Sequence, residues 1–441
     1  MNGEGREYSR RGDKLAKQVT GALGYEGDDI VEIFRDAYRV TFEYLAPLMV
    51  RVADEMLVDL RADMAAGRVD RIVALGRDGY SLSVAMHKLE PRFARKNISD
   101  VVLSRALVEN ALQDLERHLG KTFPQVDGFR RVAARVDPAN TVGGFRQLDR
   151  YLRASRVPVG QPGSRVTLFD TSFKGTVQEL LSAVYPETTF TGRYAFFGES
   201  PHDPHPGSKQ GYEVHLPAAS SREGRPFYEL PDDETKTFAH QLALNSIEEL
   251  LDGPWSSPVR IKDARPEQRL QGFESRLLDG LSPARLSARL LSPTIREGVK
   301  IVNLHALADR AQLAAETRKA GRDPRPRLEE ESQRYRSEIR AWITGQPAEP
   351  RLTEFLNSFV HRTDKQQVEQ LQRMLERSDL PFDSYRKIWT AYDQCASDDD
   401  KRVFVQNVQS SVQATGGRDG REPGPRPPRR MDGPGRTGRD L

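Results

Sequence analysis

Across residues 28–61 apolar side chains recur at helical spacing: Ile30, Ile33, Phe34, Ala37, Tyr38, Phe42 and Leu45, then Leu48, Val52, Met56 and Leu60. Pro47 interrupts the stripe and predicts a kink or a division into two helices. Beyond it the pattern changes. Short apolar runs at 71–75, 100–104, 165–169, 192–197 and 211–216 read as buried strands. Helical stretches separate the first four: one ending near Leu89, a polar one over 106–156 broken at Gly143 and Gly144, and one from Thr176 to about Tyr185. Strands alternating with helices predict an α/β fold, a mostly parallel Rossmann-like sheet covered on both faces. From about Thr235 the pattern is helical. Thr294 and Glu297 have capping-box spacing, Asp232 and Asp233 suit a helix start, and Val368, Leu371 and Leu375 form a further stripe.

This organisation divides the 441 residues into a flexible N-terminus (1–26), an α/β domain for a phosphate or sugar phosphate (27–225), a helical domain (226–414) and a tail (415–441). The tail holds seven arginines and four acids, which accounts for the whole net charge of +3. With seven glycines and five prolines and no apolar period, it reads as disordered. Nucleic acid is therefore not an expected partner, except through this basic tail. No run approaches eighteen apolar residues, so no membrane-spanning helix is expected. The N-terminus lacks the apolar core of a signal peptide. Cys395 is the sole cysteine, which excludes an internal disulfide or a cysteine zinc cluster. These features together predict a cytoplasmic protein.

Parallel sheets bind ligands beyond the carboxyl ends of their strands, and three predicted strands end in polar groups. Gly76, Arg77, Asp78 and Gly79 follow the first, Ser104 and Arg105 the second, and Asp170 to Thr176 the third. In the first loop, two glycines allow close backbone approach, the next helix offers free N–H groups, and Arg77 adds a phosphate fork. A turn in which Arg77 and Asp78 only pair or cap the helix is the alternative. In the third, Asp170 is suited to hold Mg²⁺ through water or to accept sugar hydroxyls. Thr171, Ser172 and Thr176 supply hydroxyls, Lys174 a point charge and Gly175 a bare backbone. The alternative here is that Asp170 and Ser172 merely cap the helix. The loop matches neither a Walker A nor a dinucleotide glycine motif. His202, Asp203 and His205 lie close together among prolines and read as a solvated loop rather than a metal site; His87 and His305 read as structural.

Two resemblances rest on these residues. In order, "YLAPLM" (44–49), "IVALGRDGYSL" (72–82), "VLSRAL" (102–107), "LFDTSFKGTVQELL" (168–181), "GRYAFFG" (192–198) and "NSIEELLDGPWSSPV" (245–259) resemble part of a bacterial family of predicted haloacid dehalogenase (HAD) superfamily hydrolases, often found beside polysaccharide glycosyltransferases. The part matched lacks that superfamily's catalytic Asp-x-Asp pair: Ser172 stands where the second aspartate is required. The two main loops are also similar to those of type I phosphoribosyltransferases, with the first as the pyrophosphate loop. Asp170, Lys174, Gly175 and Thr176 would span the loop that cradles the ribose 5-phosphate. Phe169 replaces the first acid of that family's usual pair, and Lys174 stands in place of a threonine. The second resemblance implies a phosphoribosyltransferase-like sheet and transfer from a phosphorylated sugar or nucleotide-like donor. Arg77 would steady pyrophosphate, Lys174 the 5-phosphate, and Asp170 Mg²⁺ or the sugar hydroxyls. The alternatives are an inactive ligand-binding or regulatory module, or a HAD-related phosphohydrolase without the aspartate pair. The helical domain is left open as a homo-oligomer interface or a lid.

Overall fold

Strands β1 (Arg71–Gly76), β2 (Ile98–Val102), β3 (Arg165–Asp170), β4 (Thr189–Gly198) and β5 (Lys209–Leu216) pair in the order β2-β1-β3-β4-β5, every pair parallel. These features come from a computed structural model that describes residues 3–220, 229–269, 292–360 and 398–416, with scattered residues between them. The helices are α1 (Gly3–Ala22), α2 (Asp28–Val40), α3 (Ala46–Ala65), α4 (Tyr80–Leu89), α5 (Pro91–Asn97), α6 (Arg105–Leu119), α7 (Pro138–Thr141), α8 (Gly144–Ala154) and α9 (Thr176–Val184). They continue with α10 (Gln241–Leu251), α11 (Pro293–Lys319), α12 (Arg325–Thr344), α13 (Pro350–Phe359) and α14 (Asp398–Gly416). The fold is α/β, a Rossmann-like parallel sheet with a helical C-terminal part.

Both faces of the sheet are covered, and the strand period of two decides which residue faces which layer. Val73, Leu75, Val166 and Leu168 pack under α6, α8 and α9. Ile72, Ala74 and Phe169 point the other way, into a larger core shared with α2, α3, α4, α10, α11 and α12. The C-terminal helices thus build one layer of the sheet domain: α11 lies against α2, α3 and α4, and α12 against α3. Among the described residues no helix is long and apolar enough to cross a membrane.

Several expectations shift. The described part of the N-terminus expected to be flexible is not loose: α1 runs through Gly3–Ala22 and packs on α2 and α11, burying Ala16 and Val19, while the Tyr8 hydroxyl donates to Glu316 at 3.1 Å. Its apolar stripe is sparse, and it becomes a core element only against α2 and, almost three hundred residues away, α11. At Pro47 the chain does divide: a π-helical turn at Thr41–Leu45 joins α2 to α3, and Pro47 sits in the first turn of α3, where a missing N–H costs nothing. The second strand ends at Val102 rather than 104, because Ser104 caps α6, its Oγ accepting from Leu107 N at 3.2 Å. α11 starts at Pro293 behind Ser292, with no capping box at Thr294. His305 is exposed rather than packed among apolar positions. The tail from 417 onward and Val368 lie outside the described residues.

Candidate active site

In the order β2-β1-β3-β4-β5 the strand sequence reverses between β1 and β3, which makes that gap the switch point where the loops above the sheet part. A cavity of about 510 Å³ opens there. Gly76, Arg77 and Asp78 from the β1 loop line it, with Ser104 and Arg105 beyond β2, and Asp170, Ser172, Lys174, Gly175 and Thr176 beyond β3. Of the loop residues expected to bind a ligand, only Gly79 and Thr171 stand back from it.

Gly79 works from beneath. A Cβ there would lie 2.6 Å from the Leu75 carbonyl and 2.9 Å from that of Phe169, so only glycine lets the β1 loop seat on the end of β3. Thr171 is buried, and its hydroxyl has no hydrogen-bond partner among the described residues. Gly175 has φ 69°, the left-handed conformation that glycine favours, and turns the chain into α9. Neither α4 nor α9 receives a side-chain cap. Asp78 instead accepts from Arg77 Nε at 2.8 Å, Asp170 accepts from the adjacent Thr171 N–H at 2.8 Å, and the Ser172 hydroxyl donates to Glu248. The first turn of α9, whose Thr176 and Val177 line the cavity, therefore presents backbone N–H groups to it, whereas no residue of α4 reaches the lining and the Gly79 and Tyr80 N–H groups donate to the Leu75 and Arg77 carbonyls.

The carboxylates form the second half of the site. Asp78, Asp170 and Glu248 lie within electrostatic reach of one another. Burial, then the charge of Asp78, pushes the Asp170 carboxyl well above the usual range. The same two causes push Glu248 up to about 8. Asp252 is pushed up to about 6 by burial, although Lys300 Nζ donates to it at 2.7 Å and Arg77 Nε lies 3.6 Å away. Arg77 is thus held between Asp78 and Asp252, and its guanidinium is held in the charged form. Lys174 Nζ donates to the Gly128 carbonyl at 3.5 Å and sits 4.5 Å from the Phe129 ring centroid. Arg105 and Arg131 add two further guanidinium groups to the wall.

Glu248, Asp252, Lys300 and Arg131 were not singled out in the sequence. Glu248 and Asp252 are four apart at the end of an amphipathic helix, where acids ordinarily meet solvent. Ser104 is also committed elsewhere: besides capping α6, its hydroxyl donates to the Pro258 carbonyl at 2.5 Å and ties the 256–259 strap over the cavity.

Among the described residues no group of three or more His, Cys, Asp or Glu side chains is arranged to hold a metal by itself. Mg²⁺ ordinarily takes one or two carboxylates and completes its shell with water and substrate phosphates. Asp170, crowded by Asp78 and Glu248, fits that donor set, because a cation there relieves the repulsion among the three. The loop with His202, Asp203 and His205 is not freely solvated. Asp203 accepts from Lys209 Nζ at 2.8 Å, and His205 Nδ1 lies 2.6 Å from the buried Glu179 of α9. His87 Nδ1 lies 2.9 Å from the Ser83 carbonyl one turn back on α4. No protein-family model matches the chain, and no curated protein does.

Proposed function

We propose that the chain is a transferase of the phosphoribosyltransferase type, acting on a phosphorylated sugar or nucleotide-like donor. One observation carries the reading: the loops after β1 and β3 open into a single cavity that joins the N-terminus of α9 and cationic side chains to a group of crowded carboxylates. Such a surface suits a ligand with phosphates at its ends and hydroxyls between them.

In this reading the α9 amides, Thr176 and Lys174 hold a terminal phosphate. The Arg77 guanidinium, fixed by Asp78 and Asp252, and the backbone of Arg77 and Asp78 take a diphosphate. Asp170 accepts sugar hydroxyls. Mg²⁺, when bound with the ligand phosphates at Asp170, would neutralise charge on the departing diphosphate. The anomeric carbon exchanges its bond to a diphosphate oxygen for one to the acceptor nucleophile, whose proton passes to solvent. Catalysis is then positioning and charge stabilisation. Calorimetry with phosphoribosyl pyrophosphate and Mg²⁺ tests the reading. Saturable binding is expected, weakened about tenfold or more by Asp170→Asn and by Lys174→Ala, a loss of roughly 1.4 kcal/mol each. Absence of binding, or equal binding by both variants, refutes it.

Phe169 favours a second reading, a module that binds the ligand without turning it over. It stands where the resembled family has an acid, and it is fully buried in the helical core, out of reach of any ligand. Ligand binding without diphosphate release across a panel of nucleophilic acceptors would support this reading over the first.

A further inference from the structure

In the transferase reading the donor occupies the β1 and β3 side of the cavity. A further side, beyond β2, is built from other elements. Leu103, Arg105 and Ala106 reach it from the end of β2 and the start of α6, Val132 from the segment 124–136, and Pro258 and Val259 from the strap. The segment and the strap are both fixed to α6. Ser104 Oγ holds the Pro258 carbonyl, and Asn110 Nδ2 donates to the Val259 carbonyl at 2.9 Å. Gln113 Nε2 donates to the Ala133 carbonyl at 3.0 Å, and Arg130 pairs with Glu109 at 2.6 Å and with Glu116 at 2.5 Å. The chain itself therefore holds this side in shape, which limits the entropy lost on binding.

All of these lining side chains but one are apolar. Val259 lines the cavity yet is 57 % exposed, and Trp255, just ahead of the strap, is 48 % exposed. Covering apolar surface of this kind favours binding. Arg105 is the exception. It is exposed at the first position of α6, and its guanidinium makes no hydrogen bond or ion pair among the described residues, acting on Glu248 only from a distance. The other cations around the cavity are engaged: Arg77 by Asp78 and Asp252, Lys174 at the Gly128 carbonyl and the Phe129 ring, Lys300 by Asp252, and Arg131 as well.

A guanidinium fork matches the two oxygens of a carboxylate. One fork balances the single charge of a carboxylate but not the nearly double charge of a phosphomonoester, and Glu248 is near enough to oppose the excess. We propose that this side of the cavity receives the acceptor, and that the acceptor is a small organic acid whose apolar body lies against Val132, Pro258 and Val259 and whose carboxylate sits on Arg105. Only the role of acceptor rests on the transferase reading; the binding of the acid does not. The carboxylate anchors the molecule and takes no part in bond exchange. A second, nucleophilic atom forms the new bond to the anomeric carbon as the diphosphate leaves, and its proton passes to solvent.

The test is calorimetry on the full chain with four probes: benzoate, benzamide, acetate and phenyl phosphate, each with and without saturating phosphoribosyl pyrophosphate and Mg²⁺. Benzoate is expected to bind saturably. Benzamide, which lacks the charge, and acetate, which lacks the body, should bind at least tenfold more weakly, and phenyl phosphate no more tightly than benzoate. Arg105→Gln, an exposed substitution that leaves the core intact, should bring benzoate down to the level of benzamide, whereas Lys174→Ala, on the donor side, should leave it unchanged. Benzoate should still bind when the donor is present. Binding of benzoate that depends on Arg105, in a chain that does not bind phosphoribosyl pyrophosphate, keeps the acid subsite and removes the transferase reading. The proposal is overturned if benzoate does not bind, if Arg105→Gln binds it as the wild type does, if benzamide binds equally, if phenyl phosphate binds more tightly, or if the donor displaces it.

Discussion

Glu248→Gln offers the sharpest test of the carboxylate group. The substitution keeps the shape and an acceptor for the Ser172 hydroxyl but removes the charge. In the folded chain the Glu248 carboxyl is pushed from 4.5 up to about 8 by burial and by Asp78. Between those two values the unfolded chain has lost this proton while the folded chain keeps it. The folded state then binds more protons, so stability falls as pH rises through that window, by about 1.4 kcal/mol per pH unit for one proton. The full separation converts to roughly 5 kcal/mol, and water in the open cavity screens it to about 2–4 kcal/mol. The variant lacks this slope. Removing the Glu248 charge also relieves Asp170, which acts in the same direction. Urea denaturation of both proteins in EDTA at pH 5, 6.5, 8 and 9 is the assay. The two should have similar stability at pH 5, with the variant gaining steadily to about 2–4 kcal/mol at pH 9. Added Mg²⁺ should narrow the gap by stabilising the wild type. Parallel pH dependences from 5 to 9, or a variant less stable at pH 9, would refute the account of crowded carboxylates.

Two further substitutions probe the supports of the cavity. Lys300→Met leaves Asp252 buried with only Arg77 nearby, and should cost about 2–4 kcal/mol at pH 8. That deficit should shrink below about pH 5, because Asp252, whose carboxyl is already pushed up to about 6, takes a proton more readily without its lysine; thermal melts at the two pH values measure this. Gly79→Ala drives a methyl into the Leu75 and Phe169 carbonyls and should cost about 2–3 kcal/mol in chemical denaturation, whereas an unchanged midpoint would mean that the β1 loop does not rest on β3.

The sequence by itself determined the alternation of strands and helices, and with it the α/β class. Short continuous apolar runs at 71–75 and 165–169, set between helical stretches, have few other solutions, and a Gly-flanked polar loop after a buried strand marks where a ligand can approach the backbone. Local signals of this kind also gave the break near Pro47 and the turn at Gly143. What lay beyond local reach depended on distant partners. The helix of residues 3–22 has too thin an apolar stripe to be recognised before α2 and α11 are set against it. Glu248, Asp252 and Lys300 look like solvated charges on amphipathic helices until α10 and α11 are folded over the carboxyl ends of β1 and β3. Strand order was the deciding quantity: only the placement of β3 beside β1 turns two separate polar loops into one cavity, and hydrophobic periodicity carries no information about which strand lies next to which.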